Sequence, residues 1–391
     1  MSKYRFDQIA INSTEKKKPV EEDRFTYLGL EHLDSGSLKV TRYGSEVAPI
    51  GEKLIMRKGD VLFGKRRAYQ KKVAIAPFDG IFSAHGMVLR PKEDVIDKDF
   101  FPLFISSDYF LDAAIKISVG SLSPTINWRD LKELEFELPD LDTQRRLAAV
   151  LWAMNETMDS YKELIAATDE LVKSQFMEQF DLEGSRQKGW KIMTLKDAVE
   201  KPLSGEWGSD DKDGNGIKVL RTANFTDAGI IDYSEVVTRN IDPKKLESKA
   251  MKTGDILIEK SGGSDTKPVG RVVYYLGEPG EYLFNNFTSV IRPKKSLDIL
   301  KRYLFEFMFV SYWNGGTRLY ENKTTGLHNL RLSEYLEGTE IPIPPMDVQR
   351  SFVDFLEQSD KSKLLLHDRN EIINQNRRLL TCLMKTTRLS R

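Results

Sequence analysis

Apolar residues recur at helical spacing in two long stretches of the chain. In the first stretch they fall three or four positions apart from Leu147 to Val172. The second starts at Phe352, and its apolar residues repeat every seven positions from Leu365 to Leu379. Spacing of this kind predicts two long amphipathic helices, and each must bury its apolar stripe against a partner. The simplest partner for either helix is the other one.

The rest of the chain alternates between short apolar runs and turn signals. Residues 61–63 and 256–258 are such runs, bounded by Gly-Asp, and Arg-Pro follows others. These features predict short strands joined by tight turns. Residues 100–117 and 301–313 have a helical pattern and predict helices that interrupt the strands. The globular parts are therefore expected to be α+β domains with irregular sheets.

Several phrases occur twice, in the same order, about 200 residues apart. Such ordered self-similarity indicates an internal duplication. The pairs are RKGDVLF (57–63) with KTGDILI (252–258), GMVLRPK (86–92) with TSVIRPK (288–294), and PDLDTQRRLAAVL (139–151) with PPMDVQRSFVDFL (344–356).

The duplication predicts two globular domains, residues 1–140 and 186–343, each followed by a helical region, 141–185 and 344–391. We expect the two helices to pack as an antiparallel coiled coil with pseudo-two-fold symmetry, with Asp142 and Asp347 as their N-caps. The residues predicted for the helix core or for partner binding are Gln144, Leu147, Leu151, Met154, Met158, Gln349, Phe352, Leu356, Leu365, Ile372 and Leu379.

Composition narrows the class of protein. Lys plus Arg equals Asp plus Glu, 59 each, so any basic binding surface must be local. No apolar stretch is long enough to cross a bilayer, and the start of the sequence has no apolar signal-peptide core. The single cysteine excludes an intramolecular disulfide, and the four histidines are scattered, so no metal site is predicted. We expect a cytoplasmic location.

The paired phrases resemble those of a known family. The order of globular part, LPDLDTQRRLAAVL, long helix, globular part, IPPMDVQRSFVDFL and long helix resembles the specificity (S) subunit of type I restriction–modification systems. Members of that family carry two target-recognition domains and two helical regions, each opening with a Pro-Pro-x-x-x-Gln phrase. Here the second copy has both prolines and the first copy has one. The resemblance covers essentially the whole chain.

The resemblance implies partner subunits and assigns the catalytic activities to them. It implies double-stranded DNA as ligand, two adenine methyltransferase (M) subunits docked on the helical regions, and an optional pair of restriction (R) subunits. S-adenosylmethionine, ATP and Mg²⁺ would belong to those partners, and this chain would bind no cofactor and catalyse no reaction. The sequence has no Asn/Asp-Pro-Pro-aromatic methylation motif, no GxxxxGK[ST] phosphate loop and no GxGxxG after a strand.

The most DNA-like stretch of the first copy is GKRRAYQKK, residues 64–72, where cations accompany an aromatic ring and an amide. Arginine suits guanine and glutamine suits adenine, while lysine suits phosphate. A solvated charged loop is the alternative interpretation. The candidates from this loop are Lys65, Arg66, Arg67, Tyr69, Gln70 and Lys71.

The corresponding loop of the second copy, EKSGGSDTKPVGR (259–271), is less basic but rich in glycine, which allows a backbone to approach a duplex closely. A flexible linker loop is the alternative interpretation of this stretch. Polar loops precede the closing strand of each copy, at 118–129 and 321–331, and ordinary turns are an equally good interpretation of them. Structural hydrogen bonds are the alternative for polar residues among the strands. The further candidates are Lys260, Ser261, Ser264 and Lys267 in the first of these loops, Ser121, Ser123, Asn127, Lys323, Thr325 and His328 in the polar loops, and Arg221 and Asn224 among the strands.

The sequence therefore predicts a non-catalytic DNA reader that recognises a bipartite, asymmetric target and scaffolds methyltransferase subunits. Two other classes stay open: a coiled-coil scaffold that binds no nucleic acid, and an enzyme with its own DNA-modifying activity. The second would need motifs that the chain lacks, and the first predicts no retention of DNA even with partner subunits present.

Overall fold

The computed structural model describes residues 1–324 and 327–386, and of residues 324 and 378–386 it describes the backbone only. The chain separates into two compact units. The first comprises residues 1–163 with the described residues from 366 onward, and the second comprises residues 164–365. Two long helices contribute to both units.

The first unit is α+β, as predicted. Its strands are short and its helices lie mostly late in the domain. In chain order its elements are β1 (Ser2–Arg5), α1 (Phe6–Ile9), β2 (Ala10–Ser13), β3 (Lys16–Lys17), β4 (Tyr27–Leu28), β5 (Lys53–Met56), β6 (Val61–Phe63), β7 (Val73–Ile75), β8 (Gly80–Phe82), β9 (Met87–Pro91), α2 (Phe101–Ile105), α3 (Asp108–Lys116), α4 (Trp128–Leu131) and β10 (Glu135–Leu138), and the long helix α5 (Leu141–Phe180) follows.

The strands of the first unit form two four-stranded sheets and one pair. The sheet orders are β2-β9-β6-β7 and β3-β5-β8-β4, and β1 pairs antiparallel with β10. Aromatic rings, among them Phe6, Phe110 and Phe136, fill the core between the first sheet and the helices, and Leu151 of α5 is buried against this core. The domain is thereby attached to the start of the long helix.

One expected helix is divided. The pattern over residues 100–117 predicted a single helix, but the structure has α2 and α3 separated at Ser106 and Ser107. The Ser107 hydroxyl accepts a hydrogen bond from the backbone N–H of Phe110, so it caps α3. A serine in the middle of an apolar pattern favoured the cap over a continuous helix.

The second unit repeats this plan with additions. Its elements in chain order are α6 (Leu182–Gln187), β11 (Lys191–Thr194), α7 (Leu195–Ala198), β12 (Leu203–Ser204), β13 (Ser209–Asp210), β14 (Ile217–Leu220), β15 (Val237–Asn240), α8 (Pro243–Lys249), β16 (Ile256–Glu259), β17 (Ser261–Gly263), β18 (Val272–Tyr274), β19 (Tyr282–Phe284), β20 (Thr288–Ile291), α9 (Lys301–Trp313), β21 (Glu321–Thr324), β22 (Leu327–Leu330), α10 (Leu332–Gly338) and β23 (Glu340–Ile343), and the long helix α11 (Met346–Thr386) follows. The helix predicted over residues 301–313 is confirmed.

The sheets show the duplication directly. The order β12-β20-β16-β18 matches β2-β9-β6-β7, and β11 pairs with β23 as β1 pairs with β10. The second sheet, β13-β15-β14-β19, keeps one parallel pair, as its counterpart in the first unit does, but orders its strands differently. A three-stranded sheet, β17-β22-β21, is present in the second unit, and its strands come from the two loops that were predicted to bind DNA.

The repeated Gly-Asp and Arg-Pro phrases meet as a buried ion pair in each unit. Arg90 Nε and Nη2 donate to the two carboxylate oxygens of Asp60 at 2.7 and 2.9 Å. Arg292 donates in the same way to Asp255, at 2.6 Å to both oxygens. These hydrogen bonds raise the pKa of both arginines. The phrases recur because each pair holds the turn before a central strand against the neighbouring strand.

The repeated glutamine fastens each long helix to its domain. Gln144 Nε2 donates to the carbonyl oxygens of Val95 and Pro139 at 3.1 and 2.8 Å, and its Oε1 accepts from the N–H of Asp97 at 2.8 Å. Gln349 repeats this with Asp298, Pro344 and Leu300 at 2.8–2.9 Å. Both glutamines are fully buried, so these three bonds satisfy backbone groups that water cannot reach.

The predicted N-caps are each displaced from the position assigned to them. Asp140, not Asp142, accepts a hydrogen bond from the N–H of Thr143 at 2.8 Å and so caps α5. Helix α11 begins at Met346, which places Asp347 inside its first turn. Helix α5 therefore begins two residues after Pro139 and α11 directly after Pro345, each one position before the aspartate that was predicted as its cap.

The two long helices run antiparallel within the second unit. The rings of Phe180 and Phe352 lie 5.0 Å apart, and Lys363 Nζ donates to Asp169 Oδ1 at 3.0 Å, so positions that advance along α11 meet positions that recede along α5. Within the first unit, Arg377 Nη1 donates to Asn155 Oδ1 at 2.8 Å. The antiparallel prediction is thus confirmed for the part of the helices in the second unit.

The helix core is shorter than the heptad pattern predicted. Leu151, Phe352 and Leu356 are buried, and Leu147, Met154 and Met158 are partly buried. Leu365 and Ile372 are 60% and 57% exposed, so their assignment to the core is corrected. The side chain of Leu379 lies outside the described residues. Polar pairs join the helices at Asp169 with Lys363 and at Asn155 with Arg377.

Because of Glu306 in α9, we expect the stability of the folded chain to depend on pH. It is buried, and burial raises its pKa to about 7, against the opposing charges of Arg302 and Lys363. The unfolded chain holds this proton only below about pH 4.5. The folded chain therefore binds the proton more tightly, and the resulting stability, complete below pH 4.5, is lost as the pH rises through 7.

At pH 8 we expect the free energy of unfolding of Glu306→Gln to exceed that of the parent chain by about 1–3 kcal/mol, so the variant should unfold at higher urea concentration. At pH 5 the two free energies should differ little. The exposed Glu247 of α8 is the control, since Glu247→Gln should leave the pH profile unchanged. Urea denaturation at pH 5, 6.5 and 8 measures the effect. An equal pH slope in the parent and in Glu306→Gln would contradict it.

Candidate nucleic-acid interface

Two loops of the first unit that lie far apart in sequence, residues 64–72 and 118–129, come together. Arg66 and Thr125 form an antiparallel bridge, and the N–H of Ile126 donates to the carbonyl oxygen of Lys65 at 2.9 Å. The N–H of Ala68 donates to Pro124 O at 3.2 Å. The candidate residues at 64–72 and 118–129 therefore belong to one surface, which we call the first recognition surface.

Exposed guanidinium groups stand on this surface. Arg66 Nε donates to the Ser123 hydroxyl at 3.1 Å, and its Nη1 lies 3.4 Å from His85 Nε2. Arg67 is exposed and has a left-handed backbone, with φ at 54°. A non-glycine residue in this region costs free energy, and such strain is typical of functional loops. Tyr69, also exposed, lies between Arg67 and the second strained residue, Lys71.

Lys71, another predicted DNA contact of this surface, is already paired with carboxylates of the first unit. Lys71 Nζ donates to Asp108 and Asp112 at 2.7 and 2.8 Å. Burial lowers the pKa of Lys71, but the two carboxylates outweigh it and raise the pKa overall. Lys71 is therefore neutralised by α3 and is a weak candidate for phosphate contact. Gln70 is half-buried, whereas Ser121 and Asn127 are exposed.

The corresponding loops of the second unit also meet. Ser261 pairs with Asn329 and Gly263 with His328, as β17 joins the β21–β22 hairpin. The base of the loop is closed by Arg271, whose Nε and Nη2 donate to the buried Glu259 carboxylate at 3.0 and 2.9 Å. A paired strand and a buried ion pair are not features of a flexible linker. We call residues 259–271 with 321–330, where described, the second recognition surface.

Two cations of the second surface are paired with carboxylates of the second unit. Lys267 Nζ lies 2.7 Å from Asp227 Oδ1, and Lys323 Nζ donates to Asp265 Oδ1 at 2.5 Å. Ser264 is exposed and Ser261 half-buried. Thr325 lies outside the described residues.

Two of the predicted DNA contacts, His328 and Asn224, are buried. His328 is buried, with Nδ1 3.2 Å from Glu321 Oε2. Asn224 is buried too, and its side chain bonds the N–H of Arg221 and the carbonyl oxygens of Asp232 and Glu235. Arg221 is half-buried and donates to Glu235 O at 3.4 Å. These side chains hold loops in place, and their part in DNA contact stays a prediction.

Sequence reasoning missed residues that approach the surfaces from other segments of the chain. His85 faces Arg66, and burial and that cation lower the pKa of His85. Ser204, at the end of β12, accepts a hydrogen bond from Lys260 Nζ at 3.0 Å. The internal repeat could have pointed to such residues, because equivalent lysines in the two copies lie next to equivalent strands.

Two general properties complete the description of the site. Among the described residues, no three His, Cys, Asp or Glu side chains come together to hold a metal ion. None of the helices in the described part of the chain is long and apolar enough to span a lipid bilayer.

Comparison with known proteins gives relatives of one kind. The chain is 30% identical over 145 residues to the type I restriction enzyme EcoDI specificity subunit of Escherichia coli, a match that covers 37% of this chain and 32% of that one. It is 24% identical over 283 residues to the type I restriction enzyme MjaIX specificity subunit of Methanocaldococcus jannaschii, covering 67% and 62%. The matches thus span less than two thirds of either relative.

A solved structure described as "Structural basis underlying complex assembly and conformational transition of the type I R-M system" has the same fold. It superposes with a TM-score of 0.58 at 20% identity, covering 98% of this chain and 97% of that one. The family model for the type I restriction modification DNA specificity domain matches residues 14–167 and 187–375, one match for each copy of the repeat. The chain therefore belongs to the family of type I restriction–modification specificity subunits.

Proposed function

We propose that this chain reads a bipartite, asymmetric DNA target and holds methyltransferase subunits on its long helices. The observation that carries the proposal is that the same two loops meet in both units, through Arg66 and Thr125 in one and Ser261 and Asn329 in the other. The two surfaces differ in sequence, with two exposed arginines on the first and small hydroxyl residues on the second. Two unlike surfaces would read two unlike half-sites.

Exposed leucines support the scaffolding part of the proposal. Leu164 and Leu171 of α5, seven residues apart, and Leu364 and Leu365 of α11 are exposed within the second unit. Apolar residues at heptad spacing on a helix surface suit the helices of a partner subunit. We assign them to methyltransferase subunits, with restriction subunits as optional further partners. S-adenosylmethionine, ATP and Mg²⁺ would act on those partners, and the assembly would work in the cytoplasm.

Exchange of one domain tests the modular part of the proposal. When residues 1–140 are replaced by those of another family member, we expect one half-site of the methylated sequence to change and the other to persist. The graft should be tolerated because Gln144 bonds only backbone atoms of that domain. Sequencing of methylated adenines, in cells that supply the methyltransferase subunits, measures the outcome.

Exchange of residues 186–343 is the matched control, and it should change the other half-site. A change in both half-sites after either exchange would contradict the modular reading. The enzyme alternative is tested separately, since the purified chain alone should then modify DNA when S-adenosylmethionine is present. The scaffold alternative predicts that the chain with its methyltransferase subunits retains no DNA.

A further inference from the structure

Lys65 and Lys260 occupy the same place in the two copies. Each ends a strand phrase, GDVLFGK (59–65) and GDILIEK (254–260), and each is half-buried. Among the described residues no carboxylate pairs with either ammonium group. Burial, and next the charge of a second lysine, Lys16 or Lys249, lower the pKa of each. The second lysines have carboxylates of their own at 3.8 Å, Glu52 for Lys16 and Glu206 for Lys249, so within the described chain the cations without an anion are Lys65 and Lys260. A half-buried cation without an anion is costly.

The surroundings of Lys65 form a polar cleft. The cleft has a volume of about 360 Å³, and Lys65, Lys16, Ser13 and Asn127 are part of its lining. Ser13 is only 6% exposed, yet its hydroxyl has no hydrogen-bond partner within the described chain. Leaving a buried hydroxyl unpaired costs about 1–3 kcal/mol. Two ammonium groups and an unpaired hydroxyl in one cleft have the chemistry that binds a phosphate.

The second copy has a related arrangement, in which two lysines donate directly to a serine. Lys260 Nζ donates to the Ser204 hydroxyl at 3.0 Å, and Lys249 Nζ donates to the Ser204 carbonyl oxygen at 2.7 Å. Ser13 ends β2 and Ser204 ends β12, and these strands have the same place in the matching sheets of the two units. In the sheet registers Ser13 lies opposite Val88, whereas Ser204 lies opposite Ser289, so the two serines come from matching strands but are offset by one position, and Lys65 and Lys260 alone are strictly equivalent.

We propose that Lys65, Lys16 and Ser13 form a phosphate-binding cleft, and that Lys260, Lys249 and Ser204 form its counterpart. This inference rests on the proposed function, and it names one backbone phosphate of DNA as the ligand of each site. Lys65 directly precedes Arg66, so a phosphate held there fixes where the guanidinium groups meet the base edges. The same chemistry would accept inorganic phosphate.

The test uses the full chain with substitutions that remove one charge or one hydroxyl. The variants are Lys65→Gln, Ser13→Ala and Lys260→Gln. Lys58→Gln is the matched control, because Lys58 is an exposed lysine just before β6, and Lys65 follows the same strand. Circular dichroism melting verifies that each variant is folded.

Two measurements are made on each variant. The first is the salt dependence of target-DNA binding by the chain assembled with its methyltransferase subunits. Lys65→Gln and Lys260→Gln should each reduce the slope of log K against log salt by about 1, and Ser13→Ala should weaken binding without changing the slope. The second is calorimetric binding of inorganic phosphate to the full chain alone, in which Lys65→Gln and Lys260→Gln should each remove one of the two sites. Lys58→Gln should match the parent in both.

The outcomes separate this inference from the proposed function. If the parent binds its target and the Lys65 and Lys260 variants equal Lys58→Gln in both assays, the clefts are refuted and the DNA-reading role stands. If the parent retains no DNA but binds phosphate through Lys65, the cleft stands and the role fails. If Lys65→Gln equals the parent for phosphate and no DNA is retained, both are refuted. Target DNA should also displace phosphate, and a failure to do so would assign the cleft to a free anion.

Discussion

Replacing Asp255 by alanine is expected to destabilise the second unit by about 3–5 kcal/mol. Asp255 is fully buried, and it receives two hydrogen bonds from Arg292 and one from the N–H of Lys252. Removing the carboxylate leaves a mostly buried guanidinium without its counter-charge, and that desolvation cost is not recovered elsewhere. Urea or guanidinium denaturation followed by circular dichroism measures the loss.

The first unit offers a matched comparison. Arg90 pairs with Asp60 in the same geometry but is more exposed than Arg292, and it also lies 3.5 Å from Glu15. Asp60→Ala should therefore cost less than Asp255→Ala. The double variant Asp255→Ala with Arg292→Met should regain part of the loss, because no charge is then left buried. An Asp255→Ala chain as stable as the parent would refute the importance of the buried pair, and equal losses in Asp255→Ala and Asp60→Ala would refute the predicted difference between the two units.

Replacing Arg66 and Arg67 together by alanine is expected to weaken target-DNA binding on the order of 100- to 1,000-fold. Both side chains are exposed on the first recognition surface, and Ser123 and the bridge to Thr125 hold Arg66 in place before DNA arrives. A guanidinium held in advance loses less conformational freedom on binding, so its contacts count more fully. Fluorescence anisotropy with the assembled complex, at fixed salt, measures the affinity.

Lysine substitutions separate base reading from phosphate contact. Arg66→Lys with Arg67→Lys keeps the charge but removes the two-pronged donor, so target discrimination should fall while binding to unrelated DNA persists. Lys71→Ala is the control in the same loop, and because Asp108 and Asp112 already neutralise Lys71, the salt slope should not change. Full retention of target affinity after both arginines are lost would exclude this loop from the interface.

The features that the sequence determined are those set by short-range patterns. Helical spacing located both long helices, because an amphipathic stripe needs no knowledge of its partner to be recognised. The repeated Asp60 and Asp255, and Gln144 and Gln349, marked equivalent positions in two copies. Their pairing with Arg90, Arg292 and backbone atoms was not visible in the sequence, but the phrases recur for that reason.

The tertiary structure alone decided which candidate residues are available to a ligand. Lys71 and Arg66 belong to one basic run, yet α3 neutralises the first and leaves the second exposed. His328 is buried beside Glu321, whereas Leu365, which fits the seven-residue repeat, is exposed to solvent. The physical reason is that the burial and pairing of a side chain depend on groups brought close by folding, and local spacing does not encode those groups.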